Sequence, residues 1–265
     1  MISERSIRAW GCTLFLWLLL AGTAQSAPPT SEEILAGIKA RARLSLSNNT
    51  PVCEFQKIMT IVELDKDGTV LKTNEMVYKV RQIHGLAKGS LISANGQPPT
   101  EKQSTRAKEK ERRNRGQEKA AADGEEDVNP WLNDQLIGRF AFTLTGEREE
   151  AGKKLWVLTF EPKAEGLPRD GFMDRFLNRL HGVIWVDQAE SEVAYLEIKL
   201  LNQVKVWGGI LGQLEELAFT IHRQSVAGGV WVQSASEGTL VARKLFSTIR
   251  YRSREETSGH RLLVD

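Results

Sequence analysis

The strongest constraint on this chain is a period of two. Phe55, Lys57, Met59, Ile61 and Glu63 alternate with Gln56, Ile58, Thr60, Val62 and Leu64. After Asp65-Lys66-Asp67-Gly68 the period resumes over Val70, Lys72, Asn74, Met76, Tyr78 and Val80. A strand sends successive side chains to opposite faces, so each run reads as a β-strand. A turn containing a glycine free to take positive φ makes the two a long hairpin. Residues 86–94 form a third strand. From Phe140 the signal returns, with Phe142 and Leu144, a turn at Glu149-Glu150-Ala151-Gly152, and a strand over residues 155–160 closed by Pro162. Further strands follow at 181–187, 193–206, 214–225, 229–235 and 240–252. Strands and helices never alternate in the βαβ manner and no fixed-period repeat is present, so the expected fold is an antiparallel sheet.

A helical period occurs in two places. Thr30 or Ser31 caps a first helix, Glu32 and Glu33 occupy its first turn, and Ile34, Leu35, Ile38 and Ala42 share one face. This amphipathic helix of about 14 residues must lie on a sheet. Phe172, Met173, Phe176, Leu177 and Leu180 give a second, shorter helix. The fold class is mainly β with flanking helices (α+β).

Residues 1–27 read as a secretory signal peptide: Arg5 and Arg8, an apolar run from Ala9 to about Ala21, then Gly22, Thr23, Ala24, Ser26 and Ala27. The run is shorter than the roughly 20 residues of a spanning helix, so a retained anchor is the lesser reading. Cys12 lies near the start of the apolar run, where a lipoprotein signal would not place it. Residues 28–265 are then read as a single exported domain in the periplasm, with no second apolar run long enough to cross a bilayer. Of two cysteines only Cys53 remains, so no internal disulfide is possible, and its apolar strand context favours a buried, inert thiol. A net charge of +2 over the whole chain argues against a general nucleic-acid binder.

Residues 97–130 interrupt the β pattern. Pro98-Pro99 is followed by closely spaced Lys, Arg and Glu from Glu101 to Ala122, then by an acidic knot from Asp123 to Asp127. With no apolar stripe, the excursion reads as a solvated helix or mobile segment, and binding to anionic lipid headgroups is the sharper alternative.

Catalytic constellations are missing from the sequence. His84, His181, His222 and His260 form no i, i+4 pair, and neither an H-E-x-x-H nor a G-x-S-x-G pattern is present. Asp170 and Asp174 share a helix face with Arg169, Arg175 and Arg179 nearby, and Asp187 begins a turn. No cofactor or metal is expected, and the protein reads as non-enzymatic. Trp131, Trp156, Trp185, Trp207 and Trp231 are either core aromatics or the lining of an amphipathic hollow. Gly208, Gly209 and Gly212 mark a sheet bend or, alternatively, a ligand's mouth.

Several segments resemble the outer-membrane lipoprotein-sorting proteins, the LolA/LolB-like superfamily, in a divergent bacterial form. They are Phe142-Thr143-Leu144-Thr145-Gly146-Glu147, then Trp156-Val157-Leu158-Thr159-Phe160-Glu161-Pro162-Lys163, then Leu180-His181-Gly182-Val183-Ile184-Trp185-Val186-Asp187. Trp207-Gly208-Gly209-Ile210-Leu211-Gly212 and Gly228-Gly229-Val230-Trp231-Val232 complete the order. The resemblance covers about half the chain, and the charged excursion is longer than in compact carriers. It implies a strongly curved, unclosed antiparallel sheet, a half-barrel with helices over its concave face, and an apolar hollow that receives acyl chains. The implied function is a periplasmic lipid- or lipoprotein-binding protein whose partners are a lipid, an acylated lipoprotein or other envelope proteins. A protein-interaction or stress-sensing module of the same fold is the alternative.

On that reading, alternate residues of the later strands point into one shared cavity. The expected liners are Phe142, Leu144, Trp156, Leu158, Phe160, Ile184, Val186, Leu196, Ile198, Leu200, Phe219 and Ile221. The signal has its own consequence: N-terminal sequencing of the exported protein should find a chain starting near Gln25 or Ala27, because small residues precede both points, and a retained Met1 would contradict it.

Overall fold

The computed structural model describes residues 28–45, 51–83, 86–107, 109, 134–206, 212–244 and 247–263. The signal segment 1–27, most of the charged excursion, His84, Trp131, Trp207, Gly208 and Gly209 lie outside them. The described strands are β1 Val52–Leu64, β2 Val70–Ile83, β3 Leu86–Ala94, β4 Phe140–Glu150, β5 Lys153–Pro162 and β6 Leu180–Asp187. They continue as β7 Val193–Leu200, β8 Val204–Val206, β9 Gly212–Val226, β10 Val230–Lys244 and β11 Ser247–Leu263. Three helices accompany them: α1 Ser31–Ser45, α2 Asp134–Ile137 and α3 Phe172–Leu177. Residues 101–107 are also helical.

All eleven strands form one antiparallel sheet in the order β3-β2-β1-β11-β10-β9-β7-β6-β5-β4, with β8 beside β9. The first strand pairs with the last, from Val52↔Leu263 to Leu64↔Arg250. The free edges are therefore β3 and β4, which follow one another in the chain. They are not hydrogen-bonded to each other, so the sheet is a half-barrel rather than a closed barrel.

Local chemistry explains the elements. Thr30 caps α1 reciprocally: its Oγ1 accepts from the Glu33 amide at 3.2 Å, and the Glu33 carboxylate accepts from the Thr30 amide at 2.7 Å. In the β1–β2 turn the Asp65 carboxylate accepts from the Asp67 and Thr69 amides, and Gly68 takes φ 86°. β4 and β5 are joined through Ala151 and Gly152, both at positive φ, as the tightest hairpin turn requires.

The strand pattern breaks in places the sequence reading did not foresee. Leu180 does not close the short helix; α3 ends at Leu177 and Leu180 opens β6. The single strand expected over 193–206 is two, β7 and β8, because Leu201 and Asn202 turn away and β9 is paired by each piece in turn. The turn expected between Ala235 and Leu240 does not exist. β10 runs straight through Ser236-Glu237-Gly238-Thr239 to Lys244, and β11 extends the sheet to Leu263.

Gly238 explains that last difference. It sits opposite Phe219 on β9, and a Cβ there would lie 3.2 Å from the Phe219 ring and 2.6 Å from Ser253 Oγ. Gly182 repeats the arrangement opposite Phe160: an added Cβ would be 2.7 Å from that ring and would collide with the Glu197 carbonyl oxygen. Each glycine is a notch that lets an aromatic ring lie across the neighbouring strand.

A charged cluster ties the first strand to its neighbours. Glu54 of β1 is nearly fully buried and is flanked in register by Arg81 of β2 and Arg261 of β11. Arg261 Nε and Arg81 Nε each reach the carboxylate at 3.0 Å, and Lys79 Nζ reaches it at 3.1 Å. Hydrogen bonds from Arg261 and then Arg81 hold this carboxyl at about 2, against the opposing pull of burial. Because the folded value lies below the ordinary 4.5, the contribution to stability is complete above about pH 4.5 and is lost as the pH falls toward 2. Acid titration of the thermal midpoint should show this: Glu54→Gln should unfold at lower temperature than wild type at pH 7, and the gap should close between pH 4.5 and 2. A gap of constant size would refute the linkage.

An amphipathic cavity under the first helix

The inner face of β4–β9 is built from cross-strand rows. One runs Leu144–Leu158–Ile184–Leu196–Ile221, and the next runs Phe142–Phe160–Gly182–Ile198–Phe219–Gly238. α1 lies on the first rows. Its Ile34, Leu35 and Ile38 are buried in one cluster with Phe140, Leu158, Phe160, Leu180, Ile184 and Val186. Each such side chain contributes about 1.5–3 kcal/mol by leaving water. Gly37 lets the helix approach the β6–β7 turn, where a Cβ would stand 3.0 Å from Ser191 Oγ.

Beside the C-terminal half of α1, whose Ile38, Arg41, Ala42, Leu44 and Ser45 form one wall, no described residue fills the space over the inner face, and a cavity of about 1190 Å³ opens. Of the twelve residues picked from the sequence, Phe142, Phe160, Ile184, Leu196, Ile198, Phe219 and Ile221 line it. Leu144, Trp156, Leu158, Val186 and Leu200 are placed elsewhere, in the packed cluster with α1. Leu158 and Val186 are fully buried there. All twelve belong to one continuous apolar surface, and the position of α1 decides which of them meet the hollow.

The walls outside those twelve fall into two groups, and of them only Trp231 had been a candidate lining residue. At one end are Leu136 and Ile137 of α2, Phe176 and Leu177 of α3, and Phe140. At the other end are Arg41, Glu192, Arg223, Trp231, Gln82 and Gln233. Arg223 carried a usable signal: it continues Leu217, Phe219 and Ile221 at period two, which put it on the inner face. Leu240 and Tyr251 also line the cavity; they were missed because a single strand was expected over 240–252, whereas that stretch is shared between β10 and β11 and the two residues face each other across the pair.

The polar end is a closed ionic network. The Glu192 carboxylate accepts from Arg41 Nε at 3.0 Å and from Arg223 Nη1 at 2.8 Å. Arg41 also donates to the Gly229 carbonyl at 3.3 Å, and Arg223 donates to the carbonyls of Val193 and Trp231. Lys153 bridges Asp187 at 3.2 Å and Glu190 at 3.0 Å and lies 4.6 Å from the Trp231 ring centre. Burial works to raise the Glu190 carboxyl, but the Trp231 indole N–H at 2.9 Å and Lys153 outweigh it and hold it below its usual value. Arg41, Arg223 and Glu192 line the cavity, and Lys153, Asp187 and Glu190 continue the network beside them, so three cations are balanced by three carboxylates across it.

The other sequence candidates are structural. Asp174 pairs with Arg139 at 2.7 Å rather than with a helix neighbour, and this bond holds its carboxyl below the usual range. Asp187 accepts from the amides of Ala189 and Glu190, as a turn aspartate does. Trp185 lies on the outer face of the sheet, stacked on Tyr195 at 3.9 Å between centres with Arg148 over it at 3.6 Å. Cys53 is free and fully buried, and burial pushes its thiol up. Among the described residues, no group of three His, Cys, Asp or Glu side chains is placed to hold a metal ion, and no helix is long and apolar enough to cross a membrane.

No family model and no curated protein sequence matches the chain. Solved structures do. An outer membrane lipoprotein-sorting protein domain from Vibrio parahaemolyticus is 12% identical, with 88% of this chain and 92% of that chain covered and a TM-score of 0.36. A LolA superfamily protein from Nitrosomonas europaea is 12% identical over 90% of this chain and 96% of that one, with a TM-score of 0.31. MucB in complex with MucA from Pseudomonas aeruginosa is 10% identical over 88% and 100%, with a TM-score of 0.27.

The ionic end yields a direct check. Glu192→Gln leaves two guanidinium groups facing a neutral amide, and should cost about 1–3 kcal/mol in denaturant unfolding. An unchanged midpoint would mean that the network does not hold α1 to the sheet.

Proposed function

We propose that this is a non-enzymatic periplasmic protein that holds the acyl chains of a lipid or lipoprotein in the hollow of its half-barrel. The observation that carries the reading is the cavity. Its volume exceeds the roughly 300–1,000 Å³ of a pocket built for a small molecule. Its middle is floored by Phe142, Phe160, Leu196, Ile198 and Phe219. A chain would lie along the Phe142–Phe219 row, with Leu144, Trp156, Leu158, Val186 and Leu200 supporting that floor from the packed core. The hydrogen-bonded polar end suits the head of an amphipathic molecule. The chemistry of the hollow is adsorption: its wall is apolar over most of its extent, and the charged groups at its end are committed to one another.

The alternative is a protein-interaction module of the same fold. Such a module would have its hollow filled by its own side chains, whereas here the described side chains leave the inner face open, which favours the carrier reading. Native mass spectrometry of the protein purified from a bacterial envelope tests the choice directly, since a carrier should bring lipid with it.

A fluorescent fatty-acid probe should bind with roughly micromolar affinity, about 8 kcal/mol. Ile198→Lys, which sets a charge in the floor, should abolish that binding. Lys199→Gln, on the opposite face of the same strand, should leave it intact. Equal loss from both variants, or no binding by the wild type, would remove the carrier reading.

A further inference from the structure

We infer that α3 and the β7–β8 turn form a docking surface for an anionic lipid bilayer, placed where the cavity can open onto the membrane. Three large apolar side chains at this end face water. Met173 is 59% exposed, Leu201 is 43% exposed and Phe172 is 37% exposed. Two hydrogen bonds join the turn to the end of α3: the Leu201 amide donates to the Arg179 carbonyl at 2.7 Å, and Arg179 Nη1 donates to the Gln203 carbonyl at 3.1 Å. Exposing three such groups costs free energy that any apolar residue on a solvated surface would avoid.

Charge selects the occupant. Arg175 of α3, Arg169 and Arg179 on either side of it, Lys163 just after β5 and Lys205 of β8 lie exposed. The acids there are Glu165, Asp170 and Asp174, and Asp174 is already taken by Arg139 at 2.7 Å. Apolar side chains bordered by an excess of cations match an interface of acyl chains below anionic headgroups. Val70 and Leu71, also exposed, lack this setting: they stand beside the balanced charges of Asp65, Lys66, Asp67 and Lys72.

Geometry connects the patch to the hollow. The Phe172 ring stacks on Phe176 at 6.4 Å with 15° between planes, and Phe176 and Leu177 line the cavity. An apolar path therefore runs from the surface into the cavity wall, so a chain leaving a bilayer here would meet little water. The docking itself needs only the exposed patch; the transfer along this path rests on the carrier reading above.

Vesicle flotation of the mature chain tests the surface. The protein should float with vesicles of phosphatidylcholine and phosphatidylglycerol, weakly or not at all with phosphatidylcholine alone, and less as salt rises. The double variant Met173→Glu, Leu201→Glu should lose about tenfold in binding while keeping the wild-type thermal midpoint, because both side chains are exposed. Ile198→Lys should still float while losing the fatty-acid probe, which separates failure of the cavity from failure of the surface. Equal binding to both vesicle types, or flotation unchanged by the double variant, would overturn the proposal. So would a patch that captures an envelope protein and no vesicle.

Discussion

One face of a large curved sheet has to be covered, and the described helices fall short of covering it. α1 has 15 residues, which makes it about 22 Å long and about 10 Å across. Strands lie about 4.8 Å apart, so a helix of that width shields about two of them. The inner rows of β4–β9 extend well beyond that, and α2 and α3, of four and six residues, lie at one end. What the helices cannot reach becomes the hollow. The core and the candidate site are thus one surface, divided by where a helix happens to lie.

That division accounts for the character of the site. Under α1 the rows are closed by Ile34, Leu35 and Ile38, and Leu158 and Val186 lose all contact with solvent. Beyond it the same rows present Ile198, Phe219 and Ile221 to the cavity. The glycine notches keep that floor low. Gly182 and Gly238 take the Phe160 and Phe219 rings over their backbones, so the rings lie across the sheet instead of standing into the space above it. The C-terminal half of α1 is held by ions rather than by packing, through Arg41 on Glu192.

Much of this was legible in the residues. The hairpin of β1 and β2, the limits of β3 and the amphipathic α1 follow from period, turn chemistry and capping, which are local. The inner face of the later strands was legible too, because alternation alone decides which residues share a face. Which of those residues would be open was not, since it depends on the landing place of α1 and so on contacts between distant segments. The same holds for Gly238: read locally, Ser236-Glu237-Gly238-Thr239 is a turn, and only the Phe219 ring from the neighbouring strand makes it a strand interior. The break at Leu201 and Asn202 likewise reflects how β9 shares its length between two partners. The pairing of Arg41 with Glu192, and of Asp174 with Arg139, joins residues far apart in sequence and leaves no local trace.

The pairing of β1 with β11 sets the order of assembly. The meander β1–β2–β3 can form its own hairpins early, yet β1 finds its second neighbour only when Ser247–Leu263 is available. A chain emerging from a ribosome or threading through a membrane pore would hold β1 without that partner until Ser247–Leu263 is free. Closing so long a loop is slow, because its entropy is lost before the contacts it brings can compensate. The seventeen residues of β11 therefore act as a latch: removing them would leave β1 and β10 as two new bare edges in the middle of the sheet, rather than trimming it at a margin.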